Sequence, residues 1–213
     1  MAKQRNYAQD FFQDEISDYI SELHKWRIAW HHAHPTAVWE TLEDMFFTDE
    51  PSSALSLDET LSKPLEFSSV SLALELLYYN AALIQLVRLK WSILFPSAQP
   101  DPVRPEDMGY ICRMAYGANG NGLLLPNQVR FQCQLAIEAL RITQYITKAL
   151  EGSAIDQYIP PSPFAIIYWA LVDEPEVRSC VASKMFKCPP FSDSKEVFED
   201  FKVNFQVPQK SVE

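Results

Sequence analysis

The stretch Ser68–Phe95, SSVSLALELLYYNAALIQLVRLKWSILF, holds neither Gly nor Pro and carries no charge from Leu76 to Val87. A run of this kind forms a helix, and at 1.5 Å per residue it extends roughly 40 Å. Ser68 or Ser69 caps its start, and Pro96 ends it. On a helical wheel Ala73, Leu76, Leu77, Leu83, Ile84, Val87, Trp91 and Leu94 fill one broad arc, with Asn80 in its middle and Arg88 toward one flank. The opposite side is also rich in leucine. A helix apolar nearly all round is buried among other helices or spans a membrane. Glu75, Asn80, Gln85, Arg88 and Lys90 weigh against a span, so the pattern predicts the central helix of a bundle.

The remainder of the chain predicts more helices. Phe12, Ile16, Tyr19, Ile20, Leu23, Trp26 and Trp30 recur at helical spacing over residues 8 to 33, and Pro35 stops that helix. Thr36 is placed to cap a short second helix containing Val38, Trp39, Leu42, Met45 and Phe46. Residues 48–67, rich in Ser, Pro, Asp and Glu, read as a surface loop, as does the proline-rich 96–105. A helix from Pro105 to Tyr116 is followed by the loop GANGNG and a long helix from about Asn127 to Glu151. Val129, Cys133, Ala136, Ile137, Leu140, Thr143, Gln144 and Ile146 form part of its expected buried face. Three further helices follow, and residues 207–213 read as a frayed tail. No period-2 run of convincing length is visible. The expected fold is all-α: a single-domain orthogonal bundle of about eight helices, covering residues 1–213 and built around the central helix.

Charge and motifs narrow the chemistry. A formal net charge of −10 disfavours a nucleic-acid or anionic-membrane partner. Cys112, Cys133, Cys180 and Cys188 show no zinc-ligand or redox spacing, and the N-terminus has no apolar signal core, which suits a cytoplasmic or nuclear protein. His31 and His34 share a helix face, but no carboxylate is spaced to complete a metal site, so no metal is expected. GANGNG lacks the Lys-Ser/Thr of a phosphate loop, and no nucleophile signature occurs, so no cofactor is expected. What remains is polar groups in an apolar helix. Asn80 and Arg88 either lock the bundle together or face a ligand, since a buried amide left unbonded costs about 1–3 kcal/mol. Tyr79, Trp91, Tyr116, Tyr168 and Trp169 are core residues or the walls of a pocket for a terpenoid or polyketide.

Three segments resemble a known family. ALELLYYNAALIQLVRL, QCQLAIEALRITQYI and SPFAIIYWALVDEPEVRSCVASKM are similar to the C-terminal, all-helical regulatory domain of fungal binuclear zinc-cluster transcription factors. The resemblance covers about two thirds of the chain. The family's cysteine-rich DNA-binding module has no counterpart in these 213 residues, so the resemblance implies a stand-alone helical domain. In fungi such domains accompany secondary-metabolite pathways. Two functions are therefore expected. One is a cofactor-independent cyclase or isomerase of the Diels–Alder type, which restricts a hydrophobic metabolite and hydrogen-bonds it through Asn80 and Arg88 as catalytic groups. The other is a non-catalytic regulatory protein that binds a small ligand. Either one takes a hydrophobic small molecule as partner, and a homodimer is compatible with both.

Overall fold

The computed structural model describes residues 2–40, 65–94, 123–129 and 132–150, together with Pro163, Ile166 and Ile167. These form three helices, α1 (Ala2–Ala33), α2 (Val70–Leu94) and α3 (Gln132–Leu150). Two short strands, β1 (Val38–Glu40) and β2 (Leu65–Phe67), stand between α1 and α2 in the chain. A 3-10 turn, Pro126–Gln128, precedes α3. The expected loops at 48–64 and 96–105, the helix ending at Tyr116 and the segment after Ile167 lie outside the described residues.

α2 is the predicted central helix. Its first free N–H groups are met as expected from the serines before it: Leu72 N donates to Ser69 Oγ at 3.3 Å. It packs against both α1 and α3. By length and composition α2 is also long and apolar enough to cross a membrane. Here Ala73, Leu76, Leu77, Leu83 and Ile84 bury themselves against protein instead. That burial ends at Ile84; from Gln85 onward no residue of α2 is fully buried, and Trp91 and Leu94 are exposed. The broad arc read from the wheel thus holds for the first half of the helix only. Tyr79, placed by the wheel on the opposite side, is buried.

The core lies between α2 and α3. Ala136, Ile137, Ala139, Leu140 and Ile142 of α3 meet the α2 leucines, and Ile167 joins them. α1 contributes less apolar surface than its periodicity suggests. Ile16 and Trp30 are buried, but Phe12, Tyr19 and Trp26 are exposed. Along α1 the buried residues are Ile16, Arg27 and Trp30, and Ile20 and Leu23 pack partly buried against the core.

The strands correct two expectations. Val38 and Trp39 belong to β1, not to a helix capped by Thr36, and residues 65–67 are β2, not loop. The pair is antiparallel, with Val38 opposite Phe67 and Glu40 opposite Leu65. Ser68 N adds a bond to Ala37 O at 2.9 Å. The ribbon is fastened to α3 by side chains: Tyr145 Oη donates to Phe67 O at 2.9 Å, Arg141 pairs with Glu40, and Lys148 pairs with Glu66. Val38, Leu65 and Phe67 turn inward to the core. A two-stranded ribbon is marginal alone and is held by this packing.

Removing only the Tyr145 hydroxyl tests that fastening. Tyr145→Phe keeps the ring against Phe67 and loses one hydrogen bond, so the urea midpoint falls by the equivalent of about 1 kcal/mol with an unchanged slope.

Candidate functional site

Three charged or amide side chains from three different helices meet inside the protein. Arg27 of α1 and Asn80 of α2 have no solvent exposure, and Glu138 of α3 is 1% exposed. Each sits on the buried face of its helix, between apolar neighbours: Trp26 and Trp30 flank Arg27, and Ala136, Ile137, Ala139 and Leu140 flank Glu138. Burying charges at such positions is costly unless they meet an opposite charge and hydrogen-bonding groups. Both conditions are present.

Glu138 is the hub. Its Oε1 accepts from Asn80 Nδ2 at 3.0 Å and lies 3.6 Å from Arg27 Nη2. Its Oε2 accepts from the backbone N–H of Leu124 at 2.7 Å. Arg27 Nη2 donates to the carbonyl of the same Leu124 at 3.1 Å. The ion pair therefore uses both backbone groups of one residue. That residue is presented by the turn after it, which closes on itself: Gln128 N donates to Leu125 O and Leu125 N donates to Gln128 Oε1, each at 2.9 Å.

Aromatic rings complete the surroundings. The Arg27 guanidinium lies 5.4 Å from the Trp30 ring centre and 5.7 Å from that of Tyr79, within cation–π range. Trp26 stacks on the Tyr79 ring at 5.5 Å. Trp30 is held in turn by its indole N–H, which donates to Glu75 Oε2 at 2.8 Å. Burial pushes the Tyr79 phenol well above its ordinary value; Arg27 opposes that rise and Glu138 adds to it. At neutral pH the phenol is a hydroxyl, not a phenolate.

The network is incomplete in one respect. Arg27 Nε, Arg27 Nη1 and Asn80 Oδ1 are buried and have no hydrogen-bond partner among the described residues. They amount to two donor groups and one acceptor. Each such group, left bare, costs on the order of 1–3 kcal/mol.

Of the residues singled out from sequence, Asn80 and Tyr79 come together at this site. Asn80 bonds a neighbouring helix, as a structural amide would, and keeps its carbonyl oxygen unused. Arg88 is half-buried with an interaction of its own, and Trp91 is exposed. Arg88 stands eight residues beyond Asn80, about 12 Å along the helix. Tyr116, Tyr168 and Trp169 lie outside the described residues. Among the described residues no cluster of three or more His, Cys, Asp or Glu side chains is placed to hold a metal. His34 packs its ring on Trp30, and His31 lies edge-on to His32. The His31 pKa is lowered, by burial first and then by Arg27 and His32. Arg27 and Glu138 were not expected, although a charge inside each apolar stripe, of opposite sign on two helices, was the available signal.

No family model matches the chain, and no curated protein or solved structure is similar to it.

Glu138→Gln leaves the Arg27 charge buried without its counter-ion, and lowers unfolding free energy by about 3–5 kcal/mol in denaturant titrations. The double variant Arg27→Met with Glu138→Leu removes both charges and loses less than the single one. Alkaline pH tests Tyr79. Its folded pKa lies above the unfolded value of 10.0, so its contribution is complete below pH 10 and declines as pH rises further. Tyr79→Phe therefore flattens the fall of stability above pH 10, followed by denaturant titrations at successive pH values.

Proposed function

We propose that this protein is a ligand-binding domain of the regulatory kind. On this reading it forms a single bundle of about eight helices around α2 and holds a hydrophobic small molecule. The observation that carries the reading is the set of buried, unpartnered groups on Arg27 and Asn80. Polar groups in protein interiors are almost always bonded. Unmet donors of a guanidinium beside the rings of Trp30 and Tyr79, with an unmet amide oxygen on the neighbouring helix, are the kind of polar atoms among apolar walls that a small-molecule site uses. The likeness of three segments to the regulatory domain of fungal zinc-cluster transcription factors agrees with it. On this reading the protein works in the cytoplasm or nucleus.

The cyclase reading is supported by one further feature. Arg27 Nε and Nη1 are donors held in place by Glu138 and Leu124, and fixed donors of that type stabilise a carbonyl oxygen gaining charge. On that reading the hydrogen bonds to the reacting molecule come from Arg27 and Asn80, not from Arg88.

Native mass spectrometry of the full chain, incubated with a metabolite extract, tests the binding function. A retained small molecule is expected in the wild-type protein and is lost in folded Arg27→Met. A wild-type protein that retains nothing rules the reading out. Chemical change of the retained molecule over time selects the cyclase.

A further inference from the structure

α1 leaves much of its aromatic surface uncovered. Phe12, Tyr19 and Trp26 recur at every seventh position, so they stand in one line along the helix. All three are exposed, Phe12 and Tyr19 by more than half. The line runs about 21 Å along the axis. Two contacts set its place in the fold. Trp26 stacks on Tyr79, and the Trp30 indole N–H donates to Glu75. Rising numbers on α1 meet falling numbers on α2, so the two helices run antiparallel. Tyr19 therefore stands about level with Leu86. On α2 a matching line follows the same spacing from Glu75 through Ala82 to Leu89, and all three are exposed. The two lines border the seam between the helices and give it an apolar floor.

Charge along the seam selects its occupant. Asp10, Asp14, Glu15, Asp18 and Glu22 are all exposed on α1, and residues 10–22 hold no Lys or Arg. Glu15 and Glu22 lie beside the aromatic line, on its outer side. Glu22 meets Lys25, and Glu15 accepts from the Tyr19 hydroxyl, both at the surface, where such contacts are weak and exchangeable. A second copy of the chain is a poor occupant, since it would bring two acidic faces together on chains of net charge −10. An anionic lipid surface is repelled for the same reason. A helix with Lys or Arg beside an apolar stripe answers both the aromatic line and the carboxylates. We infer that the seam between α1 and α2 receives a basic amphipathic helix of a partner protein. Its apolar stripe lies on Phe12, Tyr19 and Trp26, and its basic edge follows Glu15, Asp18 and Glu22. The inference stands apart from the small-molecule reading.

Three synthetic peptides of about 18 residues, each long enough to span about 27 Å as a helix, test it. The first carries leucines at helical spacing and lysines along one edge of that stripe. The second replaces each lysine by glutamate, and the third scrambles the first so that no stripe survives. Each is labelled, and its fluorescence anisotropy is followed on titration with the full chain. The lysine peptide is expected to bind about tenfold or more tightly than either control. Phe12→Ser with Tyr19→Ser removes side chains that the fold leaves exposed and keeps every charge. With an unchanged urea midpoint it weakens the lysine peptide about tenfold. A second variant, Glu15→Gln with Asp18→Asn, keeps the aromatic line and weakens the same peptide about threefold. Equal binding by the scrambled peptide, or by the Phe12 and Tyr19 variant, reduces the effect to bulk charge and overturns the inference. Equal affinity for the glutamate peptide, or an unchanged affinity in the Glu15 and Asp18 variant, removes the basic edge and overturns it as well. A wild-type chain that sediments as a dimer, and as a monomer in the Phe12 and Tyr19 variant, makes a second copy the occupant. A monomeric wild type that binds no peptide also overturns the inference, and the seam is then covered by the chain's own residues or by water.

Discussion

A carboxylate of α3 without access to water cannot stay charged in a fold that does not answer it. Glu138 is answered from three directions at once: by Arg27 on α1, by Asn80 on α2 and by the Leu124 N–H of the turn before α3. Leucines and isoleucines between α2 and α3 supply the larger share of the burial energy, but they are tolerant of small shifts in register. A buried ion pair with directed hydrogen bonds is not tolerant, since one misplaced partner leaves a charge exposed to an apolar interior. The relative depth and rotation of the three helices therefore depend on this one carboxylate more than on any single apolar contact.

The same geometry explains why Arg27 is left with spare donors. A guanidinium has five N–H bonds in a planar fork, and a single carboxylate approached at Nη2 cannot use them all. The Trp30 and Tyr79 rings occupy positions over the fork and hold it by its charge, without accepting conventional hydrogen bonds. One side chain thus meets a carboxylate, a backbone carbonyl and two rings, with Nε and Nη1 left over, while Asn80 spends its amide N–H on Glu138 and leaves Oδ1 unbonded among the described residues.

How much of this was legible in the chain differs from element to element. The central helix was legible because it lacks Gly and Pro over its whole length and has serines at its start, and Ser69 does cap it. Asn80 stood out because it interrupts an unbroken apolar arc. Arg27 and Glu138 were hidden by the ordinary assumption that a charge on an amphipathic helix faces water; only pairing across helices makes either one inner-facing. Helical periodicity on α1 was read correctly as helix, but period alone does not say which residues of the stripe are covered, and Phe12, Tyr19 and Trp26 are exposed. The strands were invisible for a simpler reason. Three residues are too few to show a period of two, and their pairing is set by partners far apart in the chain.

The small ribbon has a topological consequence. β1 leaves α1 almost at once and β2 enters α2 almost at once, and Glu40 stands opposite Leu65. The excursion between those two residues thus begins and ends at a single clasp. The chain's turn from α1 back to α2 is closed by paired backbone rather than by side chains alone, and the ribbon, through Arg141–Glu40 and Tyr145–Phe67, ties that turn to the same helix that carries Glu138.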